Sequence, residues 1–199
     1  MITSSKYQIG IILLMTGILY FLACSDFSTE PEPLHQADEK AIATFEDTLS
    51  TIVPISTLSR PDSVIRALSA SEIIDTLKNY DKEIAVQEGT IYRLTVSAAV
   101  DTTYLLLENA TAEDVVFFYK NYVLMEIIDD TGENIPLLDD SIPYATIQSY
   151  YSSSGGGIKI LINARYKYRL ENDKDYIIKI ITNDQTTSNQ FDMVIAEDE

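Results

Sequence analysis

Few side chains in this sequence have the chemistry to define a catalytic site. His35 is the only histidine. It sits in a polar stretch and reads as a solvated linker residue, so no Ser-His triad, Cys-His pair or multi-histidine metal centre is expected. Paired carboxylates occur at Asp129-Asp130 and Asp139-Asp140, with Glu133 nearby. Glycoside hydrolysis needs two carboxylates facing each other across a cleft. Adjacent residues of a strand or turn point apart, so these pairs read as turn residues of an acidic chain. Residues 129–134 and 172–175 carry oxygens of the kind Ca²⁺ takes, but neither follows the D-x-D/N-x-D/N-G loop. Lys174 would oppose a cation in the second. The run SSSGGG at 152–157 lacks the Lys and Ser/Thr that complete a phosphate loop and reads as a plain loop. No metal and no cofactor are expected.

The one cysteine, Cys24, follows a different logic. Residues 1–7 are polar and carry Lys6; residues 9–23 (IGIILLMTGILYFLA) are apolar and uncharged. That is the layout of a secretory signal. The uncharged stretch from Tyr7 to Ala23 is 17 residues long, the short limit for a bilayer span. It ends in Leu22-Ala23-Cys24-Ser25, which resembles the lipobox of bacterial lipoprotein precursors. The resemblance implies cleavage between Ala23 and Cys24 and diacylglycerol on the Cys24 thiol. Phe21 departs from the Leu usual at its position. Ser25, in place of the Asp that favours inner-membrane retention, points to the outer membrane. The resemblance covers residues 1–26. An uncleaved membrane helix is the alternative.

Charge narrows the partners. The net charge is -17, and loss of residues 1–23, whose only charged side chain is Lys6, takes it to -18. Such a chain is repelled by phosphate backbones and by anionic headgroups, so neither nucleic-acid binding nor polybasic membrane docking is expected. The membrane contact is through the N-terminal lipid, and partners would be envelope proteins or glycans. Six of the thirteen Lys and Arg beyond the signal fall between positions 159 and 179. Alternation puts Arg165, Lys167 and Arg169 on one face of a strand, with Tyr166 and Tyr168 on the other. The row is either a binding stripe for an anionic glycan or acidic protein, or a set compensated by acidic residues on a neighbouring strand.

A scaffold must hold these groups. Residues 24–37 are polar, acidic and stiffened by Pro31 and Pro33, a tether reaching on the order of 30 Å. Residues 38–82 connect it to the domain as one or two short helices or edge strands. Ile42, Phe45, Leu49 and Ile52 have helical spacing behind an Asp38 cap and ahead of Pro54; Ser69-x-x-Glu72 reads as a capping box. From position 83 the pattern alternates, most clearly over 158–170, where Ile158, Ile160, Ile162, Ala164, Tyr166, Tyr168 and Leu170 share a face. The expected fold is mainly β, an antiparallel β-sandwich of about seven or eight strands over 83–199.

Residues 84–196 are similar to bacterial pre-peptidase C-terminal domains, which are small β-sandwiches. The similarity rests on Gly89-Thr90-Ile91-Tyr92-Arg93-Leu94-Thr95-Val96, on Met125-Glu126-Ile127-Ile128-Asp129-Asp130-Thr131-Gly132, on Tyr176-Ile177-Ile178-Lys179-Ile180 and on the closing Phe191 to Ile195. Asp175 stands where that family has Gly. The resemblance implies the fold and no activity. Five Asp-Ser/Thr triplets, with acceptors Thr48, Ser63, Thr76, Thr102 and Ser141, resemble the O-glycosylation sequon of Bacteroidetes; ordinary turns and caps are the other reading.

The function expected from all of this is a lipid-anchored envelope lipoprotein with a non-catalytic binding or structural domain. The alternatives are a small hydrolase using carboxylates only, or an accessory subunit of an outer-membrane complex.

Overall fold

The computed structural model describes residues 36–59, 62–65, 67–96, 102–109, 114–121, 123–138, 150–151, 158–159, 162–181 and 189–198. Cys24, His35, Ser141, the Asp139-Asp140 pair and the 152–157 run lie outside them. The folded unit spans His35–Glu199.

The protein is a β-sandwich. One sheet runs β1 (Thr51–Ser56), β4 (Thr90–Thr95), β13 (Gln190–Asp198), β6 (Asp114–Tyr119), β11 (Ala164–Arg169) in spatial order. The other runs β2 (Leu58–Ser59), β5 (Thr102–Asn109), β12 (Lys174–Ile181), β7 (Leu124–Ile128), β8 (Asn134–Ile135), with β3 (Glu83–Ala85) also paired to β5. β9 (Tyr150–Tyr151) and β10 (Ile158–Lys159) pair only with each other. Pairing is antiparallel except at β1–β4 and β3–β5. Among the described residues eleven strands build the two sheets, nine of them within 83–198, where about seven or eight were expected; several are only two or three residues long.

The inner faces meet in an aromatic-rich core. Phe117, Tyr119, Tyr166 and Tyr168 of the first sheet pack toward Leu105, Ile127 and Ile178 of the second. Phe117 and Tyr168 meet edge to face at 6.1 Å, as do Tyr119 and Tyr166 at 6.2 Å. The phenol hydroxyls cross the sandwich: Tyr166 donates to the Val123 carbonyl, Tyr168 to that of Met125 (3.2 Å), and Tyr119 to the Met125 sulfur (3.0 Å).

The central strands are buried on both faces, which one-sided alternation does not predict. Helix α1 (Gln36–Glu46) covers the outer face of the first sheet, seating Ala41, Ile42 and Phe45 on Val116, Phe118 and Val194. Helices α2 (Asp62–Ile65) and α3 (Ala70–Asn79) cover the second sheet, placing Ile73, Ile74 and Leu77 on Tyr104, Leu106 and Ile177. At roughly 1.5–3 kcal/mol for each large apolar side chain buried, these outer layers are a substantial part of the stabilisation.

Segment 38–82 is therefore built into the sandwich, supplying two strands and its helical cover, and α1 begins at Gln36, within the stretch 24–37 read as tether. The capping box at α3 is present: Ser69 N–H donates to Glu72 Oε2 (2.7 Å), and Glu72 N–H to Ser69 Oγ (3.4 Å). The end of the helix turns through Asp81 (φ 52°), and Lys82 N–H returns to the Leu77 carbonyl at 3.0 Å. α1 departs from expectation. It stops at Glu46, so Leu49 is left 87% exposed. Asp38 lies inside the helix and not at its cap. Pro54 sits in β1, an edge strand that needs no N–H on its open side. The 158–170 strand is broken as well. Asn163 N–H bonds the Tyr119 carbonyl (2.8 Å) and its side-chain amide bonds that of Lys120, and Ile162 turns to the α1 side instead of sharing the face of Ala164.

Candidate functional site

Arg165, Lys167 and Arg169 do lie along the outer side of β11, and each meets a carboxylate. Arg165 Nε is 2.8 Å from Asp38 Oδ1 of α1, both side chains nearly buried. Lys167 Nζ is 3.2 Å from Asp114 Oδ2 and 2.8 Å from Asp198 Oδ2. Arg169 forks onto Asp114, Nε to Oδ1 at 2.7 Å and Nη2 to Oδ2 at 3.1 Å. Register explains the match: Arg169 stands opposite Asp114, which stands opposite Asp198. An acidic row on β6 and β13 thus meets the basic row, as the compensation reading has it, while the Arg169 side chain stays 73% exposed. Arg169's hydrogen bonds lower the Asp114 pKa, with burial opposing and Lys167 adding to the effect.

The same device recurs. Arg93 and Asp192 are register partners bonded at 2.8 and 3.1 Å, and Lys179 and Glu126 are partners at 3.1 Å. Opposite charges at such positions reinforce pairing. Asp192 could have been assigned from sequence, because it alternates with the apolar Phe191 and Met193.

The acidic turn after β7 is satisfied internally. Asp129 Oδ1 accepts from Thr131 N–H (2.9 Å), Thr131 Oγ1 (2.7 Å) and Glu133 N–H (2.9 Å), and Gly132 takes φ 93°. In the 172–175 loop, Lys174 pairs with Glu171 (2.7 Å) and Asp175 with Lys78 (2.8 Å). Among the described residues no group of three or more His, Cys, Asp or Glu is placed to hold a metal ion. Of the Asp-Ser/Thr triplets, Thr48 is in an exposed turn, with Asp47 Oδ1 accepting from Leu49 N–H at 2.8 Å. Thr76 is half-buried and bonds the Glu72 carbonyl (2.6 Å), whereas Thr102 is only 5% exposed. The Ser63 side chain lies outside the described residues.

Among the concave surfaces lined by described residues, two lie over the sheets. One, about 420 Å³, lies on the outer face of the second sheet, with Tyr104 and Ile177 as floor, Leu68 and Ile73 as wall, and the Glu126–Lys179 pair beside them. The other, about 450 Å³, runs along β13 beneath α1. Its origin is a split in the first sheet. The β13–β4 ladder ends at Met193↔Tyr92, whereas the β13–β6 ladder continues to Asp198↔Asp114. Main-chain groups of an antiparallel strand address its two neighbours alternately. Val96 N–H bonds the Asn189 carbonyl (2.9 Å) and Lys120 N–H that of Asp192 (3.3 Å), so odd-numbered residues face β4. Ile195 therefore turns its N–H and carbonyl toward the β4 side, beyond the last assigned pair of that ladder. Across the slot are Val86 and Gly89; Ala43 and Thr44 of α1 form its roof. Gly89 (φ 66°) has open space where a Cβ would stand. Lys40 and Glu88 meet at its mouth, 3.5 Å apart.

Comparison with protein-family models, with curated proteins and with solved structures gives no match to this chain.

Proposed function

We propose that the chain is a cell-envelope lipoprotein, held in the outer membrane by lipid on Cys24, whose sandwich serves as a non-catalytic binding or structural module. The observation that supports it is the attachment of α1. The folded unit opens at its N-terminus on a helix fixed to the sheet by the Asp38–Arg165 pair and by Lys120, whose Nζ lies 4.7 Å from the Phe45 ring centroid. Only eleven residues separate Gln36 from Cys24, a reach of at most about 40 Å. A lipid there would hold the domain close to the bilayer on a leash too short for free roaming. Glu126, beside the largely apolar surface over Tyr104 and Ile177, is paired with Lys179, and Asp114, Asp192 and Asp198 are paired with cations elsewhere, which favours binding over acid–base chemistry.

Metabolic labelling with palmitate tests the reading. Wild type should incorporate label and migrate as the processed form; Cys24→Ala should do neither. Equal labelling of the two proteins would overturn the anchor.

A further inference from the structure

We propose that Pro54 guards the open edge of the first sheet, and that without it β1 would pair with β1 of a second copy of this chain. This goes beyond the anchoring reading, because the edge belongs to the folded unit and is independent of lipid on Cys24.

Three observations carry it. The first is position. Among the described residues β1 is the outermost strand of its sheet, paired with β4 alone. Thr51 N–H bonds the Gly89 carbonyl and Thr57 N–H that of Thr95, both at 3.0 Å. Main-chain groups of a strand turn to its two sides alternately. The odd-numbered residues therefore serve β4, and Ile52, Pro54 and Ser56 turn theirs outward. All three residues are exposed. The second is composition. No charged side chain occurs from Thr48 to Ser59, in a chain that is 23% charged. Ile52 is 48% exposed, and Leu49, just ahead of the strand, is 87% exposed. An exposed, uncharged edge is a template for another strand, and the charges that commonly blunt such edges are missing from this one. The third is the place of the proline. Pro54 is the middle one of the three outward residues. Its missing N–H costs the β1–β4 ladder nothing, whereas an added strand loses its central donor and meets the ring instead. The excluded strand is a second copy because identical edges are self-complementary about a twofold axis at position 54, where Ile52 of one copy faces Ser56 of the other. Through this edge two acidic chains also meet without carboxylates opposed at the contact.

The test is sedimentation of the full chain in detergent micelles at about 0.15 M salt, which screens the repulsion between two acidic chains beyond about 8 Å. Wild type, Pro54→Val and Pro54→Val with Ile52→Lys are compared over one concentration series. Wild type should stay a single chain. Pro54→Val should associate at least tenfold more tightly, and its Ile52 and Ser56 amides should exchange hydrogen at least tenfold more slowly as concentration rises. Ile52→Lys should return the variant to a single chain. If Pro54→Val lowers the melting temperature, the concentration dependence of those two amides alone decides. The proposal is overturned if Pro54→Val keeps the mass of wild type throughout, or if it associates while the two amides exchange as before. It is also overturned if Ile52→Lys leaves the association intact, or if wild type itself associates with those amides protected.

Discussion

Arg165 Nε sits 2.8 Å from Asp38 Oδ1, and the two side chains are 7% and 8% exposed. The pair ties a helix from the start of the fold to an edge strand 127 positions later. Removing one member of a buried pair strands the other's charge and costs about 3–5 kcal/mol, whereas apolar replacement of both is often neutral. Asp38→Ala should therefore lower the urea midpoint substantially, and Asp38→Leu with Arg165→Met should recover most of the loss. A double variant as unstable as the single one would show that α1 docking depends on the charges themselves.

Asp114 predicts the acid limb of stability. Its pKa lies below the ordinary 3.8, first through Arg169's hydrogen bond and then through Lys167. A carboxylate with a depressed folded pKa contributes fully above its unfolded value and loses that contribution as pH falls through the folded one. Wild type should exceed Asp114→Asn in stability at pH 6, and the gap should close below about pH 4. A gap independent of pH between 6 and 2.5, measured by thermal unfolding, contradicts the assignment.

Ser69→Ala removes the cap of α3 and should cost roughly 0.5–2 kcal/mol. Ser69→Gly should cost only a few tenths. Because α3 covers Tyr104, Leu106 and Ile177, amide exchange should rise first in residues 70–79 and only later in β5 and β12.

Tyr166→Phe deletes the hydroxyl that bonds the Val123 carbonyl across the sandwich. It should cost about 1–3 kcal/mol, the range for a buried acceptor left unsatisfied. Tyr80→Phe, at a side chain 51% exposed, should be neutral. Equal effects in chemical denaturation would remove the hydroxyl from the account.

If the chain is O-glycosylated, Thr48 is the most open acceptor among the described residues. Intact-mass measurement on protein from its native host should show a glycan lost in Thr48→Ala and retained in Thr102→Ala, since Thr102 is buried. Retention in Thr48→Ala would assign the modification elsewhere.

Strand alternation was legible wherever one face met the core, as at Tyr166 and Tyr168 or at Phe191 and Met193. It failed where a strand was covered on both faces, because Val115 to Tyr119 is then a continuous apolar run with no period. The Ser69–Glu72 cap is local chemistry and reads directly from spacing. The partners of Arg165, Lys167 and Arg169 do not, since Asp38, Asp114 and Asp198 are distant in sequence and only register brings them near. The slot beside β13 was equally invisible, because it arises where two ladders end at different residues.

The attachment of α1 also has a mechanical consequence. Tension applied to the chain ahead of Gln36 enters the domain at α1, close to the Asp38–Arg165 clasp. That contact should yield before any strand of the sandwich, because the ladders beneath are loaded only after the helix has peeled away. Eleven residues passing from a 1.5 Å to a roughly 3.4 Å rise would release about 20 Å of extra length. A single-molecule pulling trace should therefore show a small early step of that size, missing in Asp38→Ala, ahead of the rupture of the sheets. The helix would act as a force-limiting spring between whatever holds the N-terminus and the domain it carries.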